Sequence, residues 1–240
     1  MPTADDTQML AALARQALAG AGVDDPAGRV ARALLDGQPA PAGDDSSAPP
    51  AGRAVHGWLV RYLMLEAAAR PQHPDLPAPQ PRDLGETLWQ TLVALRRAQV
   101  EEDPAALAAA HAAAEHALTP MPQAGPLHDQ SADETLEAWT YTELTALHAL
   151  DHLAFHARRD DWRERVAGAA AHHQQVTQPD YTTCEPWAVA AFLAEPATRP
   201  FAEQQLHDAA AQLRQRPEAG PMIGLILADA VQSLRRRSGR

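Results

Sequence analysis

Prolines and glycines divide this sequence into segments whose apolar residues recur at helical spacing, and this pattern constrains the fold more than any other feature. No stretch alternates β-branched and polar residues over the length of a strand, which argues against a sheet. The helical spacing covers residues 5–19, 26–35, 53–70, 84–101, 104–118, 133–158, 162–176, 185–193, 200–215 and 221–236. The sequence therefore predicts an all-α protein.

Two Pro-rich stretches interrupt the predicted helices, at residues 39–50 and 71–82. Proline fixes φ and has no amide hydrogen, so both stretches are expected to be extended connectors at the surface. Neither is interpreted as a domain boundary, because the two short helices before them offer too little apolar surface to fold alone. We expect one helical domain over residues 1–240.

Acidic residues recur where helices are predicted to begin. Asp25, Asp103 and Asp161 stand second in the related sequences DDPAGRVA, EDPAALA and DDWRERVA. An N-cap aspartate accepts hydrogen bonds from the free amides of the first turn, and proline is favoured directly after it. These caps predict antiparallel helical hairpins, although any helical protein can reuse such caps. Stacked hairpins would form an incomplete or small α/α toroid or, alternatively, an α-solenoid.

The net charge and the terminal sequences limit the partners and the cellular location that we expect for this protein. A net charge of −11 argues against a nucleic-acid or anionic-membrane partner, which would require a basic face. The basic C-terminal sequence LRRRSGR is interpreted as a frayed, solvated end. The first residues, MPTADDTQML, lack the basic region of a signal peptide, and no apolar run approaches ~18 residues. The lack of lysine and asparagine indicates the coding bias of a high-GC bacterial genome. We expect a soluble, cytoplasmic protein whose partner is a small-molecule ligand or another protein.

One face of the predicted helix 133–158 carries hydroxyls and imidazoles where a solvated face would carry fixed charges. Its members are Tyr141, Thr145, His148, His152 and His156. Such a face suits a helix that borders a wet or ligand-filled cavity. The alternative is that the histidines are interior residues hydrogen-bonded to neighbouring helices.

The next predicted helix brings a third imidazole toward this face. In an antiparallel hairpin that turns at RRDD, His148 lies level with Ala171, within one turn of His173. His148, His152 and His173 could then approach one point and bind a transition metal such as Zn²⁺. The sequence thus predicts a His-lined pocket for a metal or small molecule.

The loop TQPDYTTCEP follows this helix and contains further candidates. Pro179 ends the preceding helix, and Thr182 with Glu185 has the spacing of a capping box for the next one. Asp180 is the preferred functional residue of the loop, since a carboxylate held there could orient an imidazole, bind a metal or simply cap the turn. Cys184, the only cysteine, could be a reactive thiolate near a helix N-terminus but is interpreted as dispensable.

The stretch DDWRERVAGAAAHHQQVTQPDYTTCEPWAVAAF resembles a repeat of α/α-toroid proteins, the group of terpenoid cyclases, prenyltransferases and six-hairpin glycosidases. Gln174, Gln175, Pro179 and Asp180 match the rhythm of a helix ending in glutamine, a Pro-Asp turn and the next inner helix. The resemblance implies ligand or substrate binding at the mouth of a helical barrel. Two functions stay open: a His-lined pocket that binds a small molecule or metal and is possibly enzymatic, or a non-catalytic helical-repeat scaffold for protein interactions.

Overall fold

A computed structural model describes residues 2–20, 25–38, 54–67, 80–119, 124–177 and 184–238. These ranges contain ten α-helices and no strand, so the all-α prediction is confirmed. The connector predicted at 39–50 and residues 71–79 of the connector predicted at 71–82 lie outside the described residues. The helices are α1 (Ala4–Ala19), α2 (Pro26–Leu35), α3 (Ala54–Ala67), α4 (Leu84–Val100), α5 (Pro104–Leu118), α6 (Leu136–Ala157), α7 (Asp160–Val176), α8 (Val189–Ala194), α9 (Arg199–Gln215) and α10 (Gly220–Ser238).

Two of the three predicted acidic N-caps are confirmed. The carboxylates of Asp25 and Asp103 accept hydrogen bonds from amides of the first turns of α2 and α5. Asp161 is not the N-cap, because α7 begins at Asp160, two residues earlier than predicted, and its N-cap is Arg159. The reason is the left-handed conformation of Arg158, φ 56°, which ends α6 and reverses the chain within two residues. Asp161 instead forms an ion pair with Arg159.

Helix α10 lies in the middle of the fold and packs against α1, α2, α3 and α8. Its side chains from Ile223 to Leu234 are buried almost without interruption. At Gly224 an added Cβ would lie 2.7 Å from Leu18, so α1 and α10 approach closely because this position has no side chain. Because α10 is central, other helices surround its polar residues.

The basic end of α10 is ordered, which corrects the prediction of a frayed terminus. The helix continues to Ser238. Arg236 Nη2 lies 2.6 Å from Glu66 Oε2 on α3, and Arg237 pairs with Asp151 on α6. The two carboxylates are almost completely buried and require positive partners, so they fix the end of the helix.

A ring of successive contacts joins five of the helices. Helix α3 packs against α4, α4 against α6, α6 against α8, and α10 against both α8 and α3. The hydroxyl and imidazole face of α6 points into the space that these helices share. None of the described helices has the length and apolarity needed to cross a membrane.

Candidate functional site

A buried carboxylate and two imidazoles form the centre of the ring. Asp229 Oδ2 on α10 lies 2.7 Å from Nε2 of His148 and 2.7 Å from Nε2 of His152. The two histidines are one turn apart on α6 and therefore reach the same atom. All three side chains are buried, and Asp229 is completely inaccessible. We call these three residues the His–Asp cluster.

The position of one proton in the cluster follows from a backbone contact. The amide of Ala188 lies 3.2 Å from Nδ1 of His148, and a backbone amide can only donate. Nδ1 is therefore an acceptor, which leaves the proton of the imidazole on Nε2. That Nε2–H group donates to the carboxylate of Asp229.

The second imidazole continues into a chain of polar groups. The hydroxyl of Tyr62 on α3 lies 3.1 Å from Nδ1 of His152 and 2.8 Å from Nε2 of His156. Arg236 donates to the same hydroxyl at 3.0 Å. Tyr62 thus links the His–Asp cluster to the ion pair between Arg236 and Glu66.

Burial sets the charge states of these groups. Burial opposes ionisation of Asp229, but His152 and His148 outweigh it and hold the pKa of this carboxyl well below its ordinary range. Burial lowers the pKa of His148, so this imidazole is neutral. Burial, together with the nearby Arg96, lowers the pKa of His156 to about 2. Desolvation also raises the pKa of the Tyr62 phenol well above its ordinary value.

Aromatic rings enclose the His–Asp cluster. The ring centroid of Trp89 lies 5.3 Å from that of His148, and Trp187 lies at the same distance on an edge-to-face contact. Tyr62 lies 4.7 Å from His152. A surface cavity of about 200 Å³ is lined by residues of α1 and α2 together with Asp36, and it shares no residue with the cluster. The imidazole face of α6 therefore borders packed aromatic side chains.

The cluster has the composition of a metal site. One ligand atom from each of His148, His152 and Asp229 lies within 4.8 Å of the other two. Among the described residues, no other group of three histidine, cysteine or acidic side chains brings its ligand atoms this close together. Asp229 Oδ1 is buried and has no hydrogen-bond partner among the described residues. Buried polar atoms are normally satisfied, so an acceptor left over beside two imidazoles indicates a place for a cation or a donor.

The structure joins His148 and His152 to Asp229 and not to His173. His173 Nε2 on α7 lies 3.1 Å from Glu143 Oε2, and its Nδ1 lies 2.7 Å from the hydroxyl of Thr177. Helix α7 packs on the side of α6 that carries Glu143, whereas the His–Asp cluster faces α10. The two histidines that the hairpin register placed level are therefore directed to different partners.

Glu143 is the centre of a second polar group. Its carboxylate accepts from the amides of Leu127 and His128, both at 2.7 Å, and from the ring of His128 at 2.6 Å. Burial opposes ionisation, but the bonds from His128 and His173 lower the pKa of Glu143 to about 2. This carboxylate is fully satisfied and ties the segment before α6 to α6 and α7.

The other predicted site residues lie apart from the His–Asp cluster. The Tyr141 hydroxyl contacts His56 Nε2 at 3.2 Å, and the ring of Trp187 lies between Tyr141 and His148. The side chain of Thr145 is buried and donates to a carbonyl of its own helix at 3.1 Å. Cys184 is a buried thiol outside any disulfide. Asp180 lies outside the described residues.

The capping box predicted at Thr182 and Glu185 does not start the next helix at Glu185. Helix α8 begins only at Val189, after Ala188 in the left-handed conformation. Glu185 Oε2 instead accepts from the indole of Trp187 at 2.8 Å and faces His56 Nε2 at 3.1 Å. Thr182 lies outside the described residues.

Sequence reasoning missed Asp229 and Tyr62. Asp229 is a single acidic residue in the apolar run IGLILADAV, and an acid in such a run must find a partner inside the protein. That signal was present in the sequence. Tyr62 carries no comparable signal in the sequence. Its hydroxyl contacts His152 only because α3 packs into the same ring of helices as α6.

No protein-family model, curated protein or solved structure matches this chain significantly. The chemistry of the site must therefore be inferred from its own residues.

Proposed function

We propose that this protein binds a divalent transition metal such as Zn²⁺ through His148, His152 and Asp229. The observation that carries the proposal is the convergence of their ligand atoms within 4.8 Å around a buried carboxylate with one unpartnered oxygen. Imidazole and carboxylate together suit zinc and its neighbours in the first transition series. Metal ligands must be deprotonated, and the ionised Asp229 and neutral His148 meet that requirement.

Three protein ligands leave a fourth position at a tetrahedral metal. That position would take water or a donor atom of a small molecule, which keeps an enzymatic role open for the same centre. The rings of Trp89 and Trp187 would form the apolar surroundings of this ligand. The proposal therefore joins the metal and small-molecule hypotheses in one site.

Metal binding requires the ligand atoms to move apart and both imidazoles to carry their proton on Nδ1. Bonds of about 2.0–2.1 Å at tetrahedral angles separate ligand atoms by roughly 3.3 Å, whereas Asp229 Oδ2 now lies 2.7 Å from each imidazole. Coordination through Nε2 of His148 also moves its proton to Nδ1, where it would face the amide of Ala188. The Ala188 peptide must shift when His148 becomes a ligand.

The test is a titration of the purified, chelator-treated protein with Zn²⁺ and Co²⁺ by calorimetry and absorption. We expect one equivalent to bind, and Asp229→Asn and His152→Ala to lose it while circular dichroism shows the helical fold. His173→Ala is the matched control, because it removes a buried histidine from the other polar group. A parent protein that binds no metal, or variants that bind as the parent does, would refute the proposal.

A non-catalytic scaffold is the second candidate function, and one observation favours it. Both nitrogens of His148 and of His152 already have hydrogen-bond partners, as interior structural histidines do. The ring of contacts from α3 to α10 would then be a helical framework, of the toroid kind or another, held by a polar core. This function would be favoured if variants of the His–Asp cluster are less stable than the parent protein and the parent protein binds no metal.

A further inference from the structure

The Tyr62 hydroxyl occupies a position that the hydrogen-bond chemistry of metal-binding histidines requires. It lies 3.1 Å from Nδ1 of His152, the nitrogen opposite the one that faces Asp229. A histidine that binds a metal through Nε2 carries its proton on Nδ1 and donates it to a fixed partner, which sets the ring orientation. Tyr62 is completely buried, so its hydroxyl is held in place by α3.

The Tyr62 hydroxyl can serve His152 in either tautomer without losing a bond. A phenol has one hydrogen to donate and an oxygen that accepts. Arg236 always donates to this oxygen. In one arrangement the hydroxyl donates to His152 and accepts from His156, and in the other it accepts from His152 and donates to His156. The second arrangement leaves Nε2 of His152 free to bind a metal.

The other imidazole has no such freedom. The partner of His148 Nδ1 is the amide of Ala188, which can donate but never accept. The two histidines of the cluster are therefore unequal. The partners of His152 accommodate either tautomer when the Tyr62 hydroxyl rotates and the proton of His156 moves from Nε2 to Nδ1, whereas the partner of His148 accommodates the second tautomer only if backbone moves.

We infer that Tyr62 is the positioning residue of the metal centre, holding His152 with Nε2 directed at the metal and Nδ1–H on the phenol oxygen. The inference rests on the proposed metal-binding function. It assigns Tyr62 no contact with the metal itself. The consequence is that His152, rather than His148, is the histidine preorganised for coordination.

The test compares Tyr62→Phe with Tyr141→Phe in the full chain, by competition titration with Zn²⁺ and a chromophoric chelator. Loss of an outer partner of a ligating histidine typically weakens metal affinity about 10–100-fold. We expect that weakening in Tyr62→Phe with one equivalent still bound, and an unchanged Kd in Tyr141→Phe. Tyr141 is the matched control because its hydroxyl contacts His56 and not the cluster.

Each outcome separates this inference from the proposed function. If the parent protein binds no metal, the proposed function fails and the inference falls with it. If the parent binds and Tyr62→Phe shows the parent's Kd with only a lower Tm, the hydroxyl is structural and the inference alone is wrong. If Tyr62→Phe does not fold, ¹⁵N spectra of the zinc-loaded parent decide. A proton on Nδ1 of His152 supports the inference, and a proton on Nε2 overturns it.

Discussion

The backbone amide of Ala188 donates to Nδ1 of His148 across 3.2 Å and so joins the start of α8 to the middle of α6. Ala188 adopts φ 58°, a left-handed conformation that is costly for a residue with a side chain. Its carbonyl accepts from the amides of Ala191 and Phe192, which fixes the peptide at the first turn of α8. The tautomer of a core histidine is thus set by the local backbone of another helix.

This contact predicts the tautomer of His148 in the metal-free protein. We expect the proton on Nε2, because Nδ1 accepts from an amide. Long-range ¹H–¹⁵N spectra of protein labelled at histidine would show one fixed tautomer for His148 and the averaged pattern of free imidazole for the exposed His116. A proton on Nδ1 of His148 would show that the Ala188 bond is absent in solution.

Asp229→Ala should destabilise the protein strongly. The change leaves the Nε2–H groups of His148 and His152 without an acceptor in a buried place, at a cost of about 2–5 kcal/mol in the free energy of unfolding. Asp229→Asn retains an oxygen acceptor and should lose clearly less. Urea denaturation of the two variants in the presence of a chelator measures the difference, and equal losses would contradict the hydrogen-bond account.

The end of α10 offers a matched pair of arginines. Arg236→Ala should lower the free energy of unfolding by about 1–3 kcal/mol, because it removes one of the two arginine partners of the buried Glu66, the other being Arg96, and a donor to Tyr62. Arg235→Ala, one residue earlier on an exposed position, should change it by less than about 0.5 kcal/mol. Similar effects of both changes in denaturant unfolding would mean that the end of α10 frays after all.

The second polar group predicts a pH dependence of stability. The pKa of Glu143 is lowered to about 2, so its contribution is complete above the unfolded-state pKa near 4.5 and is lost as the pH falls toward 2. The shift corresponds to roughly 3 kcal/mol at most. The hydrogen bond to Glu143 raises the pKa of His128 despite its burial, and this part is lost as the pH rises through that raised value.

Denaturant unfolding between pH 3 and pH 8 measures this profile. Glu143→Gln should flatten it on the acid side, while Glu137→Gln, an exposed change on the same helix, should leave it as in the parent protein. Loss of stability below pH 4.5 that persists undiminished in Glu143→Gln would assign the acid sensitivity to other carboxylates, of which Asp229 in the His–Asp cluster and Asp6 beside Arg199 are the next candidates.

The close approach of α1 and α10 can be tested through glycine. Gly224→Ala would place a Cβ 2.7 Å from Leu18 in a packed interface and should cost about 1–3 kcal/mol in the free energy of unfolding. Gly20→Ala has nothing within 4 Å of the added Cβ and a negative φ, so it should be neutral or slightly stabilising. A neutral result for Gly224→Ala in thermal and urea unfolding would mean that the two helices are farther apart in solution.

The sequence by itself determined the helices and most of their ends. Apolar spacing and the caps at Asp25 and Asp103 act within one or two turns, so they can be recognised without knowing what packs where. The start of α7 and the start of α8 were predicted wrongly because Arg158 and Ala188 adopt a left-handed conformation, which neither residue type announces. The start of α6 was also predicted three residues too early, since its N-cap is Thr135.

The sequence also determined that one face of α6 is polar without fixed charge, and it identified His148 and His152 on that face. Only the tertiary structure decided what they meet. Asp229 comes from α10, Tyr62 from α3 and the Ala188 amide from the start of α8, while His173 on the neighbouring helix turns to Glu143. Helical spacing fixes which side chains share a face, but their partners depend on contacts between residues far apart in the chain, and those contacts arise only when the helices pack.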